Sequence, residues 1–295
     1  MRIKTATNIN NLKLLFNKIL SRKDLRWSAL FVLGLLFSVI WNAIFLNDAA
    51  FSKWLSAIAQ TYLLGLLSVM FSLSFGWLFA LGEELLFSEN KILNAGFYLL
   101  VDLLKSIPQI VIILIGYIPL FFYFDNSPFV QTLWLAFVLA FSFANDVYEE
   151  ISNRIAVSIN FGFYNAMLSL GIKESRIINR DVLLLNSAPY LINRAVVIFA
   201  SSVFLLTSAD FIVSVGLAPQ LTLSGLPATL GNILATATSK EDILAIREVF
   251  ADPFYLKELL TTHLQGISAA FALVFTMISA YEISNGIVER KKLNA

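Results

Sequence analysis

Asn165-Ala166-Met167-Leu168-Ser169-Leu170-Gly171, followed by Ile172 through Leu184, is a short amphipathic segment between two strongly apolar regions. Phe163, Ala166, Met167, Leu170, Ile177 and Ile178 recur at three- and four-residue spacings, the helical period. Gly171 interrupts the pattern and supplies a backbone freedom that other residues lack. Ser175 to Leu185 reads as a second short helix. The spacing therefore predicts helix, glycine turn and helix lying parallel to a membrane. Lys173, Glu174, Arg176, Asn179, Arg180 and Asp181 give the second half a polar face. Periodicity leaves two readings open. The apolar face enters a groove on a partner while the charges steer, or the segment is an interfacial helix that rests on lipid.

The flanking chain says which kind of protein carries this segment. Of 295 residues 58% are hydrophobic and 14% charged, where a soluble domain carries about 25% charged residues. The mean hydropathy of +0.77 points to a polytopic membrane protein. Six spans fit the apolar runs: about 27–46, 54–82, 96–124 (with Pro108 and Pro119 inside), 129–148, 188–216 and 264–287. The first, at about 20 residues, covers about 30 Å as a helix and is too long for a signal-peptide core. Proline bends at 108 and 119 suit either a pathway-lining helix or a packing kink. The expected organisation is a tail at 1–26 (with a short surface helix or a plain polar tail at 8–20), one transmembrane domain at 27–288, and a tail at 289–295. Two long connections, about 149–187 and 217–263, interrupt that domain.

Basic residues orient it. Seven lie before the first span, Arg290, Lys291 and Lys292 follow the sixth, and the 149–187 connection holds Arg154, Lys173, Arg176 and Arg180. By the positive-inside rule both termini and that connection are cytoplasmic, and 217–263 is outside. In the outer segment Ser239-Lys240-Glu241-Asp242 reads as a capping-box-like helix start, and Pro253 as its break.

Several chemistries are excluded. There is no cysteine and one histidine, His263, so cysteine redox chemistry and a histidine-based metal site have no ligands here. A net charge of +1 gives no field for nucleic acid. No Gly-x-x-x-x-Gly-Lys-(Ser/Thr) loop is present, so the chain does not hydrolyse ATP by that means. Charged residues near spans are candidates for function. Asp102 and Lys105 read as anchors or substrate contacts, and His263 as an interfacial residue. Arg194 has Asp146 or Glu150 as possible partners, or snorkels. Asp210 reads either as an acid facing a pathway, able to attract an amine or a cation, or as a residue at the polar interface.

The 165–184 segment resembles the loop by which permease subunits of ATP-binding-cassette (ABC) importers dock onto their ATPases: Glu-Ala-Ala, three residues, Gly, nine residues, Ile-x-Leu-Pro. Ala166 and Gly171 stand in register; Asn165, Met167 and Leu184 replace the glutamate, second alanine and proline. An ATPase contact at Asn165 would be a neutral hydrogen bond, not a charge-assisted one. Arg176-Ile177-Ile178 and Arg180 are similar to the dipeptide, oligopeptide and nickel permease branch. So are Asp102-Leu103-Leu104-Lys105-Ser106-Ile107-Pro108, the stretch from Phe211 to Gln220, and the stretch from Tyr281 to Arg290, in the same order over roughly 50–292.

The resemblance implies an all-α membrane protein with six transmembrane helices and the type I importer permease (MetI-like) fold, as a C-type subunit in a bacterial inner membrane. It implies ATPase coupling through Asn165, Ala166, Ser169, Gly171, Lys173, Glu174, Arg176 and Arg180. Pro108, Gln109 and Asp210 become candidates for pathway or gating. The implied partners are a second permease, two ATPases that carry ATP and Mg, an extracytoplasmic binding protein and the lipid bilayer, with no cofactor on this chain. A gradient-driven transporter or channel, and a membrane scaffold, are the alternatives.

Overall fold

The computed structural model describes residues 21–83, 91–122, 127–217 and 228–294. The tail before residue 21, read above as a short surface helix or a plain polar tail, lies outside them, as do Glu84, part of the expected turn at 125–128, and Pro219 and Gln220. Among the described residues the regular structure is helical throughout. Five helices are long and apolar enough to cross a membrane, or six when one bent pair counts as a span. The chain is a multi-pass membrane protein.

The elements are α1 (Lys23–Phe45), α2 (Asp48–Gly82), α3 (Lys91–Ser106), α4 (Gln109–Phe122), α5 (Pro128–Ile159) and α6 (Gly162–Ser169). A helical turn, Glu174–Arg176, leads into a π-helix, Ile177–Asn186. Then come α7 (Ala188–Ile212) with a π-turn at Val213–Leu217, α8 (Leu230–Ala235), α9 (Ala237–Leu244), α10 (Ile246–Ala251), α11 (Leu256–Thr261) and α12 (Leu264–Asn294).

Several boundaries differ from those the apolar runs suggest, the sixth helix for one running past 287 to Asn294. The second span begins earlier, at Asp48, because Asn47 caps it: its Oδ1 accepts the Ala50 N–H at 2.8 Å. The expected third span is two helices, α3 and α4, bent by 93° at Ser106-Ile107-Pro108. Proline lacks the N–H a continuous helix needs and pushes Ile107 out of the helical region; it is well suited to start α4 instead. If α4 crosses the bilayer, α3 lies along it. The fourth span runs past 148 to Ile159. Its 32 residues span about 48 Å, against about 30 Å of hydrocarbon, so part of it projects out of the bilayer.

The chain divides into two compact units, Met1–Leu55 with Thr236–Ala295, and Ser56–Ala235. In the first, α1 packs along α12. Ser268 Oγ donates to Asn42 Oδ1 at 2.6 Å in the buried seam. At one end Asp24 pairs with Arg22 at 2.5 Å and Arg290 at 3.4 Å, and Lys23 with Glu282 at 3.1 Å. The short helices α9 to α11 fall within the long connection expected at 217–263. The cap of α9 is Thr236, whose hydroxyl accepts the Ser239 N–H; the capping-box reading placed the start at Ser239, three residues later. His263 has two side-chain partners. It bonds Asp242 at 3.1 Å and the Tyr255 hydroxyl at 3.0 Å.

The second unit holds the remainder of α2, α3 to α8 and the 162–186 segment. Its buried cores gather Leu64, Ile113, Leu135, Leu139 and Leu206 in one cluster, and Phe143, Val147, Ile151, Ile177, Ile178 and Ile198 in another.

Candidate functional site

The second core extends into the 162–186 segment. Beyond α5, Asn160 and Phe161 turn the chain into α6. Gly171 ends α6 with φ of +75°. Its N–H bonds Leu168 O at 2.9 Å, and the Ile172 N–H bonds Met167 O at 3.2 Å. That pair of bonds is the glycine helix stop in which a left-handed residue satisfies the last carbonyls. The expected glycine turn is therefore a specific C-cap. The Tyr164 hydroxyl crosses the turn and donates to Glu174 Oε1 at 2.6 Å, tying the two halves together.

The second half is wound as a π-helix, where an ordinary α-helix was expected. In i→i+5 winding Ile177 stacks with Val182 and Ile178 with Leu183, and all four are buried. This corrects one expectation. Ile177 and Ile178 do not offer an apolar face to a partner, because their own bundle covers it. The other expected residues form the opposite surface: Asn165, Ala166, Ser169, Gly171, Lys173, Glu174, Arg176 and Arg180 are all exposed. Leu170, 79% exposed, is the apolar prominence among them. Trp77 of α2 reaches this element, its indole N–H donating to Asn179 Oδ1 at 2.8 Å.

Gln109 lies at the start of α4, immediately after the exposed Pro108. Its amide donates to Asp146 Oδ2 at 3.2 Å, and Arg194 Nη2 meets the same oxygen at 3.3 Å. Of the two carboxylates open to Arg194, Asp146 is the partner. Glu150 pairs with Arg154 at 2.7 Å, and that guanidinium stacks on Tyr190 at 3.3 Å. Lys105 pairs with Glu149 at 2.6 Å.

Asp210 is held by other residues. It is buried and accepts hydrogen bonds from the Tyr117 and Thr229 hydroxyls. Gly231 packs against it: a Cβ there would lie 2.5 Å from Asp210 Cβ. Asp210 is thus enclosed by α4, α7 and the residues leading into α8. The partners Tyr117, Thr229, Trp77 and Tyr164 escaped the sequence reading. Tyr117 and Thr229 carry no local signal, and Trp77 looks like any interfacial tryptophan. Tyr164 sits ten residues from Glu174, across a glycine.

Residues 72–292 match the sequence model of the family described as binding-protein-dependent transport system inner membrane component. No curated protein matches the chain.

Proposed function

Because the chain belongs to the family of binding-protein-dependent transport system inner membrane components, we propose that it is a permease subunit importing peptides or a related small solute. The family is that of ABC importer permeases, so the chain is a transport component of a multi-subunit importer. The pathway is formed with a second permease. Two ATPase subunits hold ATP and Mg, an extracytoplasmic binding protein delivers the solute, and the assembly sits in a bacterial inner membrane with both termini cytoplasmic. The peptide assignment rests on the stretches at 102–108, 176–180, 211–220 and 281–290 described above.

The observation that carries the coupling role is the 162–186 element. Its apolar side is built into the core of the second unit, and its capped turn presents eight expected coupling residues to solvent. An element anchored on one side and open on the other can receive a push and pass it to the spans, a rigid-body switch. The test is co-purification in mild detergent of the tagged chain from cells that express the whole transporter. Two ATPase subunits should come with it, and their absence would overturn the reading.

A further inference from the structure

We propose that Trp77 is a positioning residue that harnesses α2 to the docking element, so that a displacement of 162–186 carries α2 with it. The inference rests on the docking role proposed above. The element is covalently continuous with α5 through Asn160 and Phe161 and with α7 through Ser187. Those two helices must follow it. The chain between α2 and the element runs through α3, α4 and α5, so α2 follows only through non-covalent contacts. Apolar packing of Leu73 and Ala80 in the shared core supplies part of the link, but the apolar driving force has no preferred direction. The Trp77–Asn179 hydrogen bond, 2.8 Å long, fixes direction.

Two neighbouring contacts make that bond mechanically useful. Next to it, Gly76 lets α2 approach α5 so closely that a Cβ would sit 2.4 Å from Val147 Cγ1 and 2.8 Å from Tyr148 N. Just past the end of α2, Glu83 accepts from Tyr148 Oη at 2.7 Å and Ser152 Oγ at 3.1 Å. So α2 is pinned to α5 at two levels and to the docking element beside the first. Trp77 itself is 40% exposed, so it is not a fully buried core residue, and its N–H makes the position's polar contact with the element.

The test uses the assembled transporter and MgATP. Spin labels on cysteines replacing Leu66 (α2) and Phe204 (α7), both exposed, enter a chain with no other cysteine. Nucleotide trapping should shift their distance. Trp77→Phe and Asn179→Leu each lower the shifted-to-unshifted ratio about two- to tenfold, the range one hydrogen bond commands. Asn179→Asp keeps an acceptor oxygen and stays near the parent. The double variant Trp77→Phe/Asn179→Leu is no worse than either single change. An unaltered ratio in Trp77→Phe, additive losses, or an Asn179→Asp that falls with Asn179→Leu would overturn the harness. Should ATPases fail to co-purify with the unaltered chain, the docking reading fails first and takes the harness with it. Should they co-purify and respond to Gly171 variants but not to Trp77→Phe, the harness alone fails.

Discussion

Gly171 allows a test in which side-chain size and backbone conformation predict opposite orders. Its φ is +75°, and a Cβ built there meets no atom within 4 Å. Any cost of substitution is therefore conformational. Holding an L-residue in the left-handed region costs about 1–2 kcal/mol, or about a 5- to 30-fold shift between the capped turn and its alternatives. Asparagine enters that region far more readily than alanine, and a β-branched residue least of all. The expected order of coupling is Gly171, then Gly171→Asn, Gly171→Ala and Gly171→Val. A steric origin would place Ala above Asn. The assay is MgATP hydrolysis by ATPases bound to the purified permease, relative to free ATPases, with membrane insertion followed by expression level. Coupling by Gly171→Val equal to the parent, or Ala performing better than Asn, would refute the idea that the left-handed turn transmits the push.

Three further outcomes are expected. Asp210→Leu leaves the Tyr117 and Thr229 hydroxyls without their buried acceptor; at about 0.6–1.7 kcal/mol for each membrane hydrogen bond, its unfolding midpoint in detergent should drop clearly, with Asp210→Asn intermediate. A midpoint equal to the parent's would show that the cluster does not hold α8. Thr236→Ala removes the cap of α9 and should cost about 1 kcal/mol, read as faster amide exchange over 237–244, whereas a larger effect from Ser239→Ala would return the cap to Ser239. Single cysteines at Ser169 and Phe250, both exposed, should react with an impermeant thiol reagent from opposite membrane faces, the first from the cytoplasm. Labelling of both from one face would invalidate the proposed orientation.

What the sequence disclosed and what it withheld divide along a physical line. Local backbone events leave local marks. A glycine at the end of a periodic segment announced the turn at 171, and Pro108 announced a disturbance of the helix. Hydropathy could not tell that the disturbance separates two helices at 93°, because Ile92 to Phe122 is apolar on both sides of it. Polarity likewise ended the fourth span at 148, while the backbone, indifferent to where the membrane stops, stays helical through Glu149, Glu150 and Arg154 to Ile159. The π-winding was hidden for a related reason: Ile177, Ile178, Val182 and Leu183 fit several periods over so short a run, and only packing selects one.

Partners distant in sequence are the other class that no local pattern records. Tyr117 meets Asp210 across 93 residues and Trp77 meets Asn179 across 102. This asymmetry explains why the eight expected coupling residues were easier to name than the residues that hold the segment. The expected coupling residues are exposed and belong to a motif read from contiguous spacing. The holding residues are defined by the fold. A docking element must be both, free on one face and committed on the other. Variants that leave the exposed face intact while severing a hold, such as Trp77→Phe, therefore separate binding of an ATPase from response to it.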